Sequence, residues 1–461
     1  MVIRYRSFLG ESKLPVEKYT SSLEQDKYIA KHIAMVILAH LRSLEAKGLV
    51  PKGEELNKLV NILRETIQLN AKNVYEWIEK EGHVFEDFFE AIEAYLYKEV
   101  GPLAGYLALG RSRNDHVAAV LRLFTRERVI EVLYKLLELR RIMLEKAIEY
   151  QEINMPYFTH RQLAQGGTAS IYFLSYEHTF TRIWQLLAAS LSLIDENPLG
   201  SGPAAGSMIE PDFNKLSETL CLYSEPLPPY FATGSRLFLI YPLSLVTILL
   251  TEISRFAEDM LILNATIPEG VKAPLEHIAT SSIMPHKKNL VTMEITRANA
   301  YKAIGLLTSS LSLYSSLPYG YNLELQEINA LLMEAFNKTN DVIDVVSDFI
   351  KGIKINGELI EKVLAEKPCW SSELVEELST REGKPAREIY FEVAKALKNA
   401  TDYRAVLASL GVDLCHLLKD KYITKHIGEL TRRYHISLDD DIQKLNDIVD
   451  KVNKCANKLL L

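Results

Sequence analysis

The chain has 461 residues, of which 25% are charged and 48% hydrophobic, as in ordinary soluble globular proteins. This length allows a large buried core and about three domains. The formal net charge of -7 argues against broad affinity for nucleic acid, because binding to phosphate backbones requires a basic field. A site for an anionic ligand must therefore be local.

The four cysteines, Cys221, Cys369, Cys415 and Cys455, lack the spacing of a metal site or a disulfide framework. We therefore expect free thiols and a cytoplasmic protein. Residues 1–10 lack the apolar core of a secretory signal, which agrees with this expectation.

Helical periodicity dominates the middle of the chain. Between 115 and 150 there is neither glycine nor proline, and apolar residues cover several faces of the predicted helix. Such a helix fits a bundle that is shared between subunits. Further long helices are predicted at 171–194, 236–263 and 291–313. The most apolar stretch, 237–250, contains Pro242 and is too short to span a bilayer, so a buried core helix is expected.

Proline and glycine are concentrated between the predicted long helices, at 101–110, 197–206, 226–234, 268–285 and 318–320. Shorter helical patterns precede and follow the long ones, and no segment of comparable length is rich in strands. We therefore predict an all-α protein with three helical domains: an N-terminal domain at 1–108, a central long-helix bundle at 109–350 and a small C-terminal domain at 351–461.

The segment 110–115 reads Gly-Arg-Ser-Arg-Asn-Asp and lies just before the first long helix. Free N–H groups and the positive end of the helix dipole favour an anion there. Arg111 and Arg113 could pair with a carboxylate, Asn114 could donate neutral hydrogen bonds, and Asp115 could cap the helix. A capped, salt-bridged helix start is the structural alternative.

Two other polar segments are candidates for chemistry. In the segment 159–162, His160 lies in a polar turn, where it could shuttle a proton or orient a base. The segment 280–289 resembles a mobile active-site loop. There Ser281 could act as a base only if cations such as Lys287 and backbone donors stabilise its alkoxide.

Weaker signals lie elsewhere. The segment 321–327 offers a phenol, amides and carboxylates at the foot of another long helix, although a solvated helix turn explains it equally well. His32 and His40 lie on a largely apolar predicted helix and are expected to be structural. The sequence contains no metal-ligand motif, phosphate-binding glycine loop or dinucleotide fingerprint, so no metal or cofactor is predicted.

Taken together, these segments resemble the fumarase, aspartase and argininosuccinate lyase superfamily, whose loop Gly-Ser-Ser-x-Met-Pro-x-Lys-x-Asn is matched at 280–289. Within it, the segments 110–115, 197–206 and 321–327 resemble the argininosuccinate lyases. The resemblance implies an all-α homotetramer with a central bundle of twenty helices and active sites that are each assembled from three subunits.

The resemblance also implies roles for individual residues. Ser281 would be the catalytic base and His160 its partner, oriented by Glu294, while Lys287 and Asn289 would stabilise a carbanion. The implied substrate-binding residues are Ser22, Asp26, Arg111, Arg113, Asn114, Thr159, Gln162, Ser282, Tyr321 and Gln326. Among these, the arginines would face the succinyl carboxylates and Asp26 the amino-acid end.

The implied reaction is the reversible elimination of fumarate from argininosuccinate to give arginine, without metal or organic cofactor. Two alternatives remain. His286 makes the loop resemble that of adenylosuccinate lyases, although no further phosphate site is evident. Phe89 and Asn329 replace a histidine and a lysine that are usual in the family, which motivates a catalytically weakened structural or regulatory tetramer. The general acid is not assigned.

Overall fold

The computed structural model describes residues 14–82 and 84–461, and helices dominate this part of the chain. The helices before the long bundle are α1 Leu14–Thr20, α2 Ala30–Ala46, α3 Glu54–Gln68, α4 Lys72–Glu81 and α5 Phe88–Val100. The middle of the chain forms α6 Arg113–Glu149, α7 Ala169–Ile194, α8 Phe213–Leu220, α9 Pro229–Gly234, α10 Leu237–Thr266, α11 Val291–Ser315 and α12 Glu327–Gly352. The predicted all-α class is confirmed.

The last part of the described chain is also helical. It forms α13 Gly357–Glu366, α14 Ser371–Glu382, α15 Ala386–Asn399, α16 Tyr403–Ser409, α17 Leu414–Lys419, α18 Tyr422–Lys425 and α19 Ile427–Leu460. Strands occur in antiparallel pairs: β1 Asn154–Thr159 with β2 Gln162–Thr168, β3 Val271–Lys272 with β6 Lys354–Ile355, and β4 Ala279–Thr280 with β5 Lys288–Asn289.

The longest helix, α6, begins with a capping box. The hydroxyl of Ser112 accepts a hydrogen bond from the backbone of the first turn, and the Asp115 carboxylate accepts one from the Ser112 N–H at 2.9 Å. This reciprocal pair satisfies N–H groups that have no partner inside the helix. Asp115 therefore takes part in capping, as predicted, while Ser112 occupies the N-cap position.

Neighbouring long helices run in opposite directions. Near the start of α6, Arg122 donates to the carbonyl of Leu193 at the end of α7. Its guanidinium also lies 4.1 Å from the centre of the Phe238 ring at the start of α10. Near the start of α7, the Tyr176 hydroxyl donates to Asp259 near the end of α10 at 2.7 Å. Helices α6 and α10 are therefore parallel to each other and antiparallel to α7.

The same alternation continues through α11 and α12. Arg297, near the start of α11, pairs with Glu258 near the end of α10 at 3.1 Å. Lys351, at the end of α12, pairs with Glu138 in the second half of α6 at 3.0 Å. The bundle therefore has two ends. We call the one that holds the start of α6 and residues 318–326 the Arg113 end, and the one that holds residues 150–168 and 267–290 the Ser281 end.

The apolar helix α10, Leu237–Thr266, corresponds closely to the long helix that the sequence predicted at 236–263. It spans 30 residues with Pro242 inside it, so by length and composition it could cross a membrane, contrary to the expectation that it would be too short. Within its most apolar window, however, 61% of the residues are buried against the rest of the chain. This burial is typical of a core helix, which was the predicted role.

The C-terminal helices pack in two different places. Residues of α14 to α17 pack around Trp370 in an apolar core of their own. Helix α19 instead returns to the bundle, where Arg140 of α6, with no exposed side-chain surface, contacts Glu177 of α7 at 3.2 Å and Asp441 of α19 at 2.8 Å. A buried charge that loses its partner is strongly destabilising, so this network specifies where α19 packs.

The expectation of free thiols is wrong for two of the four cysteines. Cys221, at the end of α8, forms a disulfide with Cys455 of α19 across a separation of 234 residues. Because only the packing of α19 on α8 brings these residues together, their spacing in the sequence carries no disulfide signal. Cys369 and Cys415 are free, the first buried and the second exposed.

Candidate active site

At the Arg113 end, a buried carboxylate lies at the centre of a group of polar side chains. Asp26 accepts hydrogen bonds from the Ser22 hydroxyl at 3.1 Å and from the Phe88 N–H at 2.9 Å. Burial raises the pKa of Asp26 to about 7, although these hydrogen bonds oppose the shift. The two predicted binding residues Ser22 and Asp26 are thus in direct contact.

Arg113 and Tyr321 reach the same place from other elements. The Arg113 guanidinium pairs with Asp87 at 2.9 Å. Burial raises the pKa of Tyr321, and a hydrogen bond with Gln326 and the nearby charge of Arg113 act against that rise. We call the small cavity between these elements, which is a candidate for binding a substrate, the substrate cavity. Its lining includes Ser22, Asp26, Asp87, Phe89, Gln326 and Asn329.

Arg111 differs from its neighbour Arg113. It forms a close ion pair with Glu93 of α5, in which the two side chains are only 6% and 13% exposed, and it donates to the carbonyl of Leu107 at 2.5 Å. Burial lowers the pKa of Arg111 to about 10 and raises that of Glu93 to about 7. These contacts anchor Arg111 beside the cavity wall.

The segment 197–206 supports the start of α6. Its Gly202 N–H donates to the Asp115 carboxylate at 2.9 Å, and the carbonyl of Pro203 accepts from the Asn114 side-chain amide at 3.0 Å. Gly202 has a φ of 56° and a Cβ there would lie 2.7 Å from a backbone oxygen, so this close approach requires glycine. The loop thereby holds Asn114 in place.

At the Ser281 end, His160 lies at the tip of a hairpin. Strands β1 and β2 pair from Asn154 with Thr168 to Thr159 with Gln162, so His160 and Arg161 form a two-residue turn. Both have left-handed backbones, with φ of 53° and 60°, as such turns require. The predicted residues Thr159, His160 and Gln162 are exposed here.

The segment 280–289 is a second exposed hairpin, based on the pairing of β4 and β5. The Ser281 hydroxyl oxygen accepts hydrogen bonds from the N–H groups of Met284 at 3.1 Å and Ile283 at 3.4 Å. Donors directed at this oxygen favour its alkoxide over its neutral form. The loop thus supplies the backbone donors that a serine base needs.

The other predicted residues of this end lie close to one another in the sequence. Ser282 and Lys287 are exposed in the same loop, Asn289 ends its second strand, and Glu294 is exposed on the first turn of α11. Within the described part of the chain, no hydrogen bond joins Glu294 or Ser281 to His160. The expected orientation of His160 by Glu294 is therefore absent within one chain.

Sequence reasoning missed several supporting residues. Asp87 caps α5 through the Glu90 N–H at 2.7 Å in addition to pairing with Arg113, and the order Asp-Phe-Phe-Glu was a capping signal that could have revealed it. His277, at the base of the Ser281 loop, contacts Thr292 at 2.9 Å and Asp348 at 3.0 Å. No local pattern indicated these distant partners.

Glu258 was also missed, and it connects the two motifs of the Ser281 end. Its carboxylate pairs with Arg161 at the hairpin tip at 3.4 Å and with Arg297 of α11 at 3.1 Å. Arg297 lies one helical turn after Glu294. The His160 hairpin and the start of α11 are thus tied to one point on α10.

The two groups of predicted residues are far apart within one chain. Asn114 lies in the first turn of α6 and His160 lies beyond its other end, and at 1.5 Å per residue the helix extends about 54 Å. Ser281 and Tyr321 lie beyond opposite ends of α11, which extends about 36 Å. A substrate of ordinary size cannot contact both groups in one chain.

Helix α11 shows where other copies could pack. Few of its residues are buried, and its exposed side includes Ile295, Tyr301, Ile304 and Leu311, while α10 exposes Leu237, Tyr241 and Ile248. An apolar surface of this extent is typical of a protein interface.

No group of three or more His, Cys, Asp or Glu side chains in residues 14–82 and 84–461 is arranged to hold a metal ion.

Comparisons with known proteins identify the relatives of this chain. Residues 10–305 match the protein family described as Lyase. The argininosuccinate lyase of Sulfurisphaera tokodaii is 36% identical over 401 residues, which cover 87% of this chain and 85% of that protein. The argininosuccinate lyase of Pyrococcus furiosus is 35% identical over 395 residues, covering 85% and 83%.

Solved structures share the fold. EDDS lyase in complex with formate superimposes with a TM-score of 0.79 at 20% identity, covering 94% of this chain and 90% of that one. A class II fumarase from Schistosoma mansoni superimposes with a TM-score of 0.70 at 15% identity, covering 90% and 96%. The identity to the curated relatives over most of both chains establishes that the chain belongs to the argininosuccinate lyase family.

Proposed function

We propose that this protein cleaves argininosuccinate reversibly into arginine and fumarate. The observation that carries the proposal is the Ser281 loop, in which backbone N–H groups at 3.1 and 3.4 Å point at the serine oxygen and Lys287 and Asn289 lie in the same hairpin. The family relationship supports the same reaction.

The proposed chemistry begins with proton removal. The Ser281 alkoxide, assisted by His160, takes a proton from the succinyl carbon beside a carboxylate, and charge accumulates on that carboxylate. Lys287 and Asn289 stabilise this charge by electrostatic attraction and hydrogen bonding. The electron pair left on the deprotonated carbon then forms the C=C bond of fumarate while the bond from the neighbouring carbon to the guanidino nitrogen breaks. The electron pair of the broken bond leaves with the nitrogen, which takes up a proton to give arginine.

The substrate cavity is proposed to hold the arginine part of the substrate. Asp26 and Asp87 offer carboxylates to cationic groups, and Ser22, Tyr321 and Gln326 offer neutral hydrogen bonds. Because Asn329 stands where the family usually has a lysine, we assign no lysine of this cavity to binding of the substrate carboxylate. Arg113, Asn114, Thr159, Gln162 and Ser282 are proposed to complete the succinyl side.

The direct test follows fumarate by its ultraviolet absorbance with the purified full chain. Argininosuccinate should give fumarate and arginine in equal amounts, whereas malate, aspartate and adenylosuccinate should give none. Fumarate from adenylosuccinate alone would reassign the substrate. Inactivity on all four compounds would contradict the proposed reaction and favour a structural tetramer of the same fold.

We further propose that the active protein is a homotetramer in which the Arg113 end of one chain meets the Ser281 end of others. The separation of these groups along α6 and α11 and the exposed apolar residues of α11 support this assembly. Antiparallel packing of copies would bury the apolar surface and bring the two ends together, as closed symmetric oligomers do.

Mixing two inactive variants tests this assembly. Ser281→Ala inactivates one end and Asn114→Ala the other, so co-refolded tetramers should regain about a quarter of wild-type activity if each site takes its two ends from different chains and chains mix at random. Each variant refolded alone is the control. If the mixture is as inactive as both controls although subunits have exchanged, the shared-site proposal is wrong.

A further inference from the structure

The lining of the substrate cavity carries acidic groups and no basic ones. Its ionisable side chains are Asp26 and Asp87, and the others are a hydroxyl, amides and apolar groups, among them Phe89 and Asn329. No lysine, arginine or histidine of the described residues contributes to it. A cavity with this lining attracts a cationic group and repels a carboxylate, and both effects are stronger where water is excluded.

Asp26 is placed to accept one more hydrogen bond from a ligand. Both donors that contact its carboxylate, the Ser22 hydroxyl and the Phe88 N–H, bind the same oxygen, Oδ2. The other oxygen, Oδ1, accepts no hydrogen bond from the described residues and keeps accessible surface. A ligand N–H group in the cavity therefore has an anionic acceptor within reach.

The size of the cavity limits what can enter it. Within one chain it offers about 20 Å³ to a water-sized group, and one water needs about 10–15 Å³. An ammonium group is about as large as a water molecule and fits there, whereas a carboxylate beside it would need further room. Size and charge thus favour the same ligand group.

The two arginines next to the cavity are already compensated. Arg113 pairs with Asp87 at 2.9 Å, and Arg111 forms its close ion pair with Glu93. Because each guanidinium has a carboxylate partner, a second carboxylate at this place would compete with an existing ion pair.

The hairpins of the Ser281 end supply no further cation in the proposed assembly. Their lysines and arginines are Arg161, Lys287 and Lys288. Arg161 pairs with Glu258 at 3.4 Å and Lys288 with Glu269 at 3.4 Å, while Lys287 is proposed to bind the succinyl part. A carboxylate at the amino-acid end of the substrate therefore gains no uncompensated partner from these hairpins.

We propose that the substrate cavity recognises the ammonium group of the leaving amine but not a carboxylate beside it, so that the protein also acts on guanidino amines that lack a carboxylate. This inference rests on the proposed function and widens its substrate class. The simplest such amine is agmatine, which is arginine without its carboxylate.

The reaction with agmatine is the reverse of the proposed elimination. The guanidino nitrogen forms a bond to one carbon of the C=C bond of fumarate and loses a proton. The electron pair of the C=C bond moves to the neighbouring carbon, which takes up a proton. The product is agmatine that carries a succinyl group on its guanidino nitrogen.

Three amines test the inference with the wild-type full-length protein and fumarate. Arginine has an ammonium and a carboxylate, agmatine has only the ammonium, and butylguanidine has neither. Loss of fumarate absorbance measures the rate, and mass spectrometry identifies the adduct. The kcat/KM for agmatine should at least equal that for arginine and should exceed that for butylguanidine at least about tenfold, because a charge-assisted hydrogen bond is worth about that factor.

The outcomes separate this inference from the proposed function. If arginine reacts but agmatine reacts at less than a tenth of its kcat/KM, the inference is wrong and the proposed function stands. The inference is also wrong if butylguanidine reacts as well as agmatine, since the ammonium is then not recognised. Inactivity with all three amines, together with inactivity on argininosuccinate, would overturn the proposed function and the inference with it.

A substitution in the cavity should reverse the preference. Asn329→Lys supplies a cation to the lining and should shift the ratio of kcat/KM for arginine to that for agmatine about tenfold toward arginine. Asn337→Lys adds the same charge two turns further along α12, outside this cavity, and should leave the ratio unchanged. If folded Asn329→Lys keeps the wild-type ratio, or both variants shift it equally, the lining does not set the preference and the inference is wrong.

Discussion

At the Arg113 end, Asp26 and Asp87 are buried and hydrogen-bonded before any ligand arrives, whereas at the Ser281 end His160 and Lys287 are exposed on hairpins. Burial holds the first group in one arrangement, because side chains that lose their hydrogen bonds there would lose more free energy than in water. The second group makes mainly local contacts and is free to adapt. In the proposed assembly, one chain would thus preform a binding surface and leave the catalytic groups to be completed by other copies.

The substitution with the largest expected effect should change catalysis without changing stability. Ser281→Ala should lower kcat on the order of 10²–10⁴-fold, while leaving the melting temperature and the sedimentation of the protein unchanged, because the side chain makes only contacts within its own loop. Ser409→Ala, an exposed helical serine, is the control and should keep full activity. Turnover near the wild-type rate in Ser281→Ala would exclude this residue as the base.

In contrast, a substitution that breaks an ion pair at the Arg113 end should lower the stability of the protein. Arg111→Met leaves Glu93 buried without its partner, so the free energy of unfolding should fall by about 3–5 kcal/mol in urea denaturation. Adding Glu93→Met removes the second charge of the ion pair and should recover most of the loss. If the single variant keeps its stability and only its KM for argininosuccinate rises, Arg111 binds substrate instead of supporting the cavity.

The disulfide should contribute to the stability of the same end, since the carbonyl of Cys221 accepts from Arg126 of α6 at 3.2 Å. Cys221→Ser should lower the free energy of unfolding by about 2–4 kcal/mol, mostly by removing a constraint on the unfolded chain. Dithiothreitol should lower the melting temperature of the wild type but not that of the variant. An equal response of both proteins to the reductant would contradict the expectation.

The smallest effect concerns pH. Because burial raises the pKa of Asp26 from 3.8 to about 7, the folded protein is stabilised while this carboxyl is neutral, and that contribution is lost as pH rises from about 4 through about 7. Its carboxylate form should bind a cationic substrate group, so KM should fall over the same interval. Asp26→Asn should remove this dependence and raise KM about tenfold at pH 8. A KM that varies with pH in the variant as in the wild type would assign the titration to another group.

Local sequence patterns predicted much of the fold. The absence of glycine and proline from 115 to 150 predicted α6, which runs from Arg113 to Glu149, and the predicted helix at 291–313 corresponds closely to α11. Helix periodicity and capping depend on residues within a few positions of each other, so the sequence shows them directly. The predicted helix at 236–263 likewise corresponds to α10, and Pro242 lies inside that helix.

The sequence by itself thus determined the helical class, the family and the identity of the polar residues in each motif. Only the tertiary structure decided which motifs meet: it placed Ser22 and Asp26 beside Arg113, and it separated all three from Ser281 by the length of the bundle. It also joined Cys221 to Cys455. These features depend on how distant segments pack, and contacts between residues hundreds of positions apart leave no periodic pattern in the chain.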